Sequence, residues 1–371
     1  MPLTRLKTVV SGALSLMTIL GSLVLLVHAD KYDITKEYIG STFFDEWTFY
    51  DHYDNLTNGD AVFVGAAQAA SDKLAFVDSV TNHAIIKVDN TSTVVKPNKR
   101  NTVRIQTNHM FSVGSLWVVD MLHVPYGCAV WPAFWSKSPS WPDGGEIDTF
   151  EGVNLDQHNS MALHTNQGCS QVSPVQTANS TWITSTDCSV SSNQNQGCIV
   201  KDPNTTSYGA AFANAGGGVW ITEYAESGIS IWFMPRANVP SVISSNSSTI
   251  DTSALGTPIA NWPTGGCDMK KFFSPQNIVF DITLCGDLAR PPNIFSQQCP
   301  GVCYDDWVVG SGANFNTAYF EVASLRIFSK SGTNTVISTN SATELLNASR
   351  GVVMSVATLL CVGLTRWITG L

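Results

Sequence analysis

Trp131-Pro-Ala-Phe-Trp135 and, just after it, Pro142-Asp-Gly-Gly-Glu146-Ile-Asp148-Thr-Phe-Glu151-Gly152 place three acids within six residues of a chain in which only 13% of residues are charged. On a regular strand side chains alternate, so Glu146 and Asp148 share a face and Glu151, five positions after Glu146, falls on the other. A β-bulge that absorbs one residue at Thr149 or Phe150 returns Glu151 to the shared face. The two glutamate backbones then lie roughly 13 Å apart at about 3.3 Å per remaining step, and their long side chains lean inward over the shorter Asp148.

Outward from this stretch, the chain reads as short apolar segments separated by Gly, Pro, Asn and Ser clusters, with almost no sustained helical period. Ala84–Val88, Thr102–Thr107, Ser115–Met121, Val219–Tyr224, Ile229–Met234, Ile278–Leu284 and Ala318–Phe328 are the clearest of them. An all-β fold of two stacked antiparallel sheets is expected. With neither a repeat nor a linker between Lys31 and Ser329, residues 30–330 are read as one domain. The Asn/Ser/Gln-rich stretch from Asn166 to Gln196 contains Cys169 and Cys188 and reads as a disulfide-tied loop.

The ends read differently. Residues 1–29 carry Arg5 and Lys7, then an apolar run from Val9, then Val27-His28-Ala29, the pattern of a cleaved secretory signal peptide; an uncleaved membrane anchor is the alternative. Residues 331–351 form a Ser/Thr/Asn-rich spacer and 352–371 an apolar tail. Its run from Val352 to Leu364 is shorter than the roughly 20 residues of a spanning helix. The tail suits a glycosylphosphatidylinositol attachment signal, with Asn340-Ser341-Ala342 as the processing site. A secreted or cell-surface location follows as the expectation, with membrane or cell-wall attachment through that lipid.

Nine cysteines are present, and setting aside Cys361 in the tail leaves Cys128, Cys169, Cys188, Cys198, Cys267, Cys285, Cys299 and Cys303. In an exported chain that even set implies up to four disulfides of undetermined pairing. Zinc is the competing use, but paired ligand spacings are missing. Sequons at Asn55, Asn90, Asn179, Asn204, Asn246 and Asn347 agree with export. A net charge of -9 argues against grip on a phosphate backbone, so no nucleic-acid partner is expected. A neutral polymer such as a polysaccharide fits better.

The acid cluster has three readings. A solvated acidic edge strand is disfavoured by Trp131, Phe134, Trp135, Trp141 and Phe150 around it, and Gly144 and Gly145 before Glu146 imply a close approach of backbone or ligand. Calcium is the main chemical rival, since clustered oxygens bind hard cations. The third reading is cleavage of a glycosidic bond, where one carboxylate attacks the anomeric carbon and one carboxylic acid protonates the departing oxygen. Asp148 between them would hold the two protonation states apart. No metal or cofactor is assigned. Trp131, Trp135, Trp141, Trp220 and Trp232 could each stack on a sugar or sit in the core, with Trp131 and Trp135 the better choices. His164 could act on Glu151 or serve structure; Arg236 could touch substrate or form a loop ion pair.

Glu146-Ile-Asp148-Thr-Phe-Glu151 resembles the E-x-D-x-x-E signature of glycoside hydrolase family 16, in the bulged form of fungal laminarinase-like endo-1,3(4)-β-glucanases. Gly127-Cys128, the Trp131 block, Gly152-Val-Asn154, Met161 to Thr165, Gly216 to Trp220, Ile231 to Arg236 and Asp281 to Asp287 are similar to further blocks of that family, so the resemblance covers residues 30–328. It implies a β-jelly-roll sandwich with a concave substrate cleft, retaining chemistry and a β-1,3(4)-glucan substrate. By motif position Glu146 is then the nucleophile, Glu151 the acid/base and Asp148 the assisting residue. A monomer is expected. A wall transglycosylase uses the same acids, and a non-catalytic glucan-recognition protein would be expected to lack one of them.

Overall fold

Along Ser115–His123, Trp117, Val119 and Met121 enter one hydrophobic cluster while Leu116 and Val118 enter another. This strand is therefore buried on both faces, and its sheet is the middle layer of the molecule. The computed structural model describes residues 30–172, 182–192, 194–243 and 246–338. In the middle sheet the strand order is Thr249–Asp251, Lys31–Ile39, Tyr319–Lys330, Ser115–His123, Gly218–Ala225, Gly228–Pro235 and Ala260–Pro263, with Ala84–Lys87 and Ala75–Val77 attached through Tyr319–Lys330.

The second sheet carries the acids. Its order is Trp182–Ile183, Cys198–Lys201, Ser160–His164, Glu146–Glu151, Val130–Lys137, Asn277–Leu284, Arg104–Thr107 and Trp47–Phe49. Every pairing within these two sheets is antiparallel, as expected for two stacked sheets. β-branched and aromatic residues such as those in Asn-Ile-Val-Phe-Asp-Ile-Thr-Leu from 277 to 284 suit a pleated, packed surface. Between the sheets Phe134, Ile147, Phe150 and Phe280 meet Trp117, Val119, Trp220 and Phe320. The far face of the middle sheet is covered through Ile243, Ile250 and Leu255.

Two expectations change. The segment Thr102–Thr107 is two strands: Arg100–Thr102 pairs in parallel with Ala61–Phe63, and Arg104–Thr107 joins the acid-bearing sheet. The folded unit also extends past residue 330. Within the stretch read as a Ser/Thr/Asn-rich spacer, Val336–Ile337 pairs with Met110–Phe111 and Thr335 is buried beside Ser329, while residues 331–334 are exposed. The eight cysteines pair as Cys128–Cys299, Cys169–Cys267, Cys188–Cys198 and Cys285–Cys303. Cys169 and Cys188 are thus tied to outside partners, not to each other. Of the sequons, Asn55 and Asn246 are exposed and Asn90 and Asn204 half-buried. Asn179, Asn347, Cys361, the leader 1–29 and the tail 352–371 lie outside the described residues.

Candidate active site

Gly144 and Gly145 turn the chain into the Glu146–Glu151 strand with φ of +79° and +74°. A Cβ at Gly144 would come within 2.2 Å of Ser274 Oγ, and one at Gly145 within 2.5 Å of the Phe273 ring. The close approach expected of these glycines is therefore to the chain's own Phe272–Ser274 segment. Behind them the strand register runs Glu146 opposite Lys137, Asp148 opposite Trp135, Phe150 opposite Phe134 and Glu151 opposite Ala133. Thr149 is the additional residue. Its hydroxyl meets Thr222 Oγ1 of the middle sheet at 2.6 Å, and the neighbouring Phe150 ring is also in the core.

Two successive inward side chains put Glu146, Asp148 and Glu151 on the opposite face together. The bulge breaks ladder bonds, and buried backbone groups need partners. Asn159 supplies them. Its carboxamide oxygen accepts the Glu151 N–H at 2.9 Å and its Nδ2 donates to the Thr149 carbonyl at 2.9 Å.

The neighbouring strands furnish the surroundings of the acids. His164 pairs opposite Glu146, and its Nε2 lies 3.3 Å from Asp148 Oδ2 and 3.8 Å from Glu146 Oε1. Nδ1 of the same ring is 3.1 Å from Asn195 Oδ1. Trp131 donates its indole N–H to Glu151 Oε1 at 2.9 Å. Trp135 donates to Asp281 Oδ1 at 3.2 Å, while Arg104 Nη1 approaches Asp281 Oδ2 at 2.5 Å. The Arg104 guanidinium lies over the Trp135 ring, 4.9 Å from its centroid.

Burial is the largest influence on every carboxyl here. It pushes Glu146 up to about 8, reinforced by the charge of Asp148 and opposed by His164. Burial also raises Asp148 to about 6, with the His164 contact opposing. Glu151 is raised by the same cause, and the Trp131 hydrogen bond opposes the rise. For His164, burial works against the charge, but Glu146, Asp148 and Glu151 together outweigh it and carry the imidazole up to about 10. The face thus holds acids reluctant to ionise around one cation, the setting in which a carboxyl can donate a proton near neutral pH.

The oxygens of Glu146 and Asp148 and a His164 nitrogen lie within 4.8 Å of one another, a spacing that a metal could use. When no metal is bound there, the three carboxyls carry the His164 imidazole up to about 10, so that it stands among those oxygens as a counter-ion.

Trp131, Trp135 and His164 therefore share the face of Glu146, Asp148 and Glu151. Trp141 is exposed at the start of the strand, and its side chain favours the ionised form of Glu146. Three expected substrate contacts lie elsewhere. Trp220 is fully buried and stacks on Phe233, 4.4 Å between centroids. Trp232 packs in the second cluster and donates to the Gly256 carbonyl. Arg236 forms a two-pronged ion pair with Asp120. All three belong to the middle sheet or its exit, and the acid-bearing sheet separates them from the acids. Arg104 and Asp281 are site residues that sequence reasoning missed; the available signal was one acid inside the apolar run Ile278–Leu284.

Paired acids on one face of an antiparallel sandwich are the arrangement that cleavage of a glycosidic bond requires. The XgeA-like, catalytic GH16 domain model matches residues 47–328, so the chain belongs to glycoside hydrolase family 16. Laminarinase 16A of Phanerochaete chrysosporium, solved with β-glucans in donor and acceptor sites, is 35% identical with a TM-score of 0.76, covering 80% of this chain and 99% of that one. An elongating family 16 β-1,3-glucosyltransferase is 34% identical with a TM-score of 0.74, covering 80% and 100%. A protein named as a probable glycosidase of Schizosaccharomyces pombe is 36% identical over 302 residues, 81% of this chain and 70% of that one. The chain spans about half the length of several other curated relatives, 46% of one named as a probable endo-1,3(4)-β-glucanase of Neosartorya fischeri. These likenesses make the sandwich a β-jelly roll of the laminarinase type.

Proposed function

We propose that this chain is a retaining endo-hydrolase of β-1,3(4)-glucan. The observation that carries the reading is the bulge at Thr149, which brings Glu146, Asp148 and Glu151 onto one face beside Trp131 and Trp135. In the first step the Glu146 carboxylate attacks the anomeric carbon as Glu151 delivers its proton to the departing glycosidic oxygen. A glycosyl ester on Glu146 results. In the second step Glu151 takes a proton from water, the water oxygen attacks the anomeric carbon, and the ester bond to Glu146 breaks. Asp148 and the His164 cation balance charge as Glu151 gives up and regains its proton and Glu146 passes from carboxylate to ester and back. Burial raises both glutamates, so the assignment of nucleophile to Glu146 rests on its place in the motif.

The test is product profiling and reducing-sugar release on laminarin and lichenan, with Glu146→Gln and Glu151→Gln beside the parent. Loss of nearly all cleavage in both folded variants supports the assignment. A parent that binds glucan but neither shortens nor lengthens it sinks the reading. Likeness to an elongating glucosyltransferase favours one second reading, transfer of the glycosyl group to another sugar; chains longer than the substrate would be its product. The four disulfides, together with the apolar leader, support export to the cell surface or medium. Lipid attachment through the tail, glycosylation and a monomeric state complete the proposal.

A further inference from the structure

Beyond Trp135 the acid-bearing sheet continues toward its far edge, and a row of rings and cations continues with it. Arg104 stands between two aromatic side chains, 4.9 Å from the Trp135 centroid and 5.6 Å from that of Tyr50. Tyr50 directly follows the edge strand Trp47–Phe49, and its N–H donates to the Arg104 carbonyl of the next strand at 3.0 Å. Its ring meets His52 edge-on at 6.1 Å, and His52 lies 4.2 Å from Tyr53, again between centroids. Lys99 caps the row, 5.6 Å from the Tyr53 ring. A cavity of about 220 Å³ opens partway along the row, beside Tyr50 and Arg104, with Thr48, Phe49 and Gln106 completing its lining.

Packing does not require the outer members. Tyr53 is 53% exposed and His52 is also exposed, whereas aromatic rings recruited for the core are buried. Tyr50 is anchored, with Phe63 edge-on to its ring at 5.9 Å and its hydroxyl donating to Asn55 Oδ1 at 2.7 Å. Solvent-facing rings held in fixed positions, with polar groups between them, fit the alternating C–H faces and hydroxyls of a sugar chain. Uncharged hydroxyls can also be served by Gln106 and Thr48, which line the cavity.

From these observations, and resting on the glucan reading above, we infer that Tyr50, His52 and Tyr53 form a remote docking track for the same polysaccharide chain that the acids cleave. Four strand spacings separate the Glu146–Glu151 strand from the edge strand Trp47–Phe49, roughly 19 Å at about 4.8 Å each, and His52–Tyr53 follows that edge as a strand of a separate sheet, where it pairs with Ala61–Phe63. Only a chain several sugars long reaches both places. The track makes the protein select for polymer over short oligosaccharide. The occupant is a β-glucan because the row is continuous with the site: Trp135, its inner end, pairs directly opposite Asp148.

The experiment measures binding in the cleavage-silenced Glu146→Gln protein, enzymatically deglycosylated because the Asn55 sequon borders the track. Calorimetry is run with long-chain laminarin and with laminaritriose, before and after His52→Ala and Tyr53→Ala are added together. Two ring contacts of about 0.5–1.5 kcal/mol each predict roughly a tenfold loss of affinity for the polymer, with laminaritriose held as before. Equal losses for both ligands, or no loss for either in a variant with the parent's melting temperature, overturn the track. Failure of the Glu146→Gln protein to bind any β-glucan would overturn the substrate reading itself, a result separable from the other two. Tyr53→Phe, which keeps the ring, is expected to retain polymer binding and guards against a folding artefact.

Discussion

Replacing Trp131 by Phe keeps an aromatic ring beside Glu151 but removes the indole N–H that reaches Glu151 Oε1 at 2.9 Å. That hydrogen bond favours the ionised carboxylate, so its loss raises the Glu151 pKa further above the ordinary glutamate range. A hydrogen bond to a charged group contributes about 1.5–3 kcal/mol, and one pKa unit corresponds to about 1.36 kcal/mol. Both residues are partly exposed, and solvent replaces part of the lost bond. About 1 kcal/mol of the preference for the ionised form is then left to lose, and Glu151 keeps its proton to higher pH. The assay is kcat/KM against pH on laminarin, whose two limbs report the essential acid and base of the free enzyme. If Glu151 must be protonated to donate, the alkaline limb moves up and the acidic limb stays. If Glu151 instead had to be ionised to attack, the acidic limb would move up. Limbs that stay in place, or that move to lower pH, refute the argument that the indole controls this proton.

His164→Gln removes the cation that three carboxylates surround. His164 is raised from 6.5 to about 10 in the fold, so the stability it contributes is fully present below about pH 6.5 and is lost as pH rises through 10; denaturant melts should show a cost of about 1–3 kcal/mol at pH 6 that shrinks toward pH 10. Among the disulfides, chain entropy predicts that removing Cys128–Cys299, with 171 residues of separation, costs more than removing Cys188–Cys198, with 10. The expected losses are about 5 and about 3 kcal/mol, read from Cys-to-Ala pairs by denaturant unfolding. Trp220→Ala should cost about 3–5 kcal/mol of stability by opening the core, while Arg236→Ala, on the other side of the sandwich, should leave kcat/KM on laminarin within about twofold of the parent, a change too small for a lost substrate contact.

Much of the acid-bearing strand was legible before any coordinates, because alternation and a bulge are local properties. Glu-x-Asp on one face follows from a period of two, and the misplaced Glu151 could return only through an additional residue. The structure puts that residue at Thr149. The strands from Ser115, Val219, Ile229 and Ile278 were legible because each is rich in β-branched and aromatic residues, which suit a pleated surface. Thr102–Thr107 was not, since its division between two sheets depends on which distant strand supplies hydrogen bonds to each half.

Aromatic residues mark the limit of local reading. Trp131 and Trp220 carry the same indole, and only the packing of one sheet on another sends the second into the core while the first remains beside Glu151. Alternation along a strand separates its two faces without saying which one meets solvent, and in the middle sheet both faces are covered. Disulfide partners up to 171 residues apart and the Trp135–Asp281–Arg104 group are likewise products of the tertiary fold. The sequence by itself determined the all-β class, the three-acid face and the supply of cysteines, because strand period and composition are short-range. The tertiary structure alone decided what surrounds those acids, because burial, charge pairing and ring contacts are set by residues that meet only after distant strands have paired.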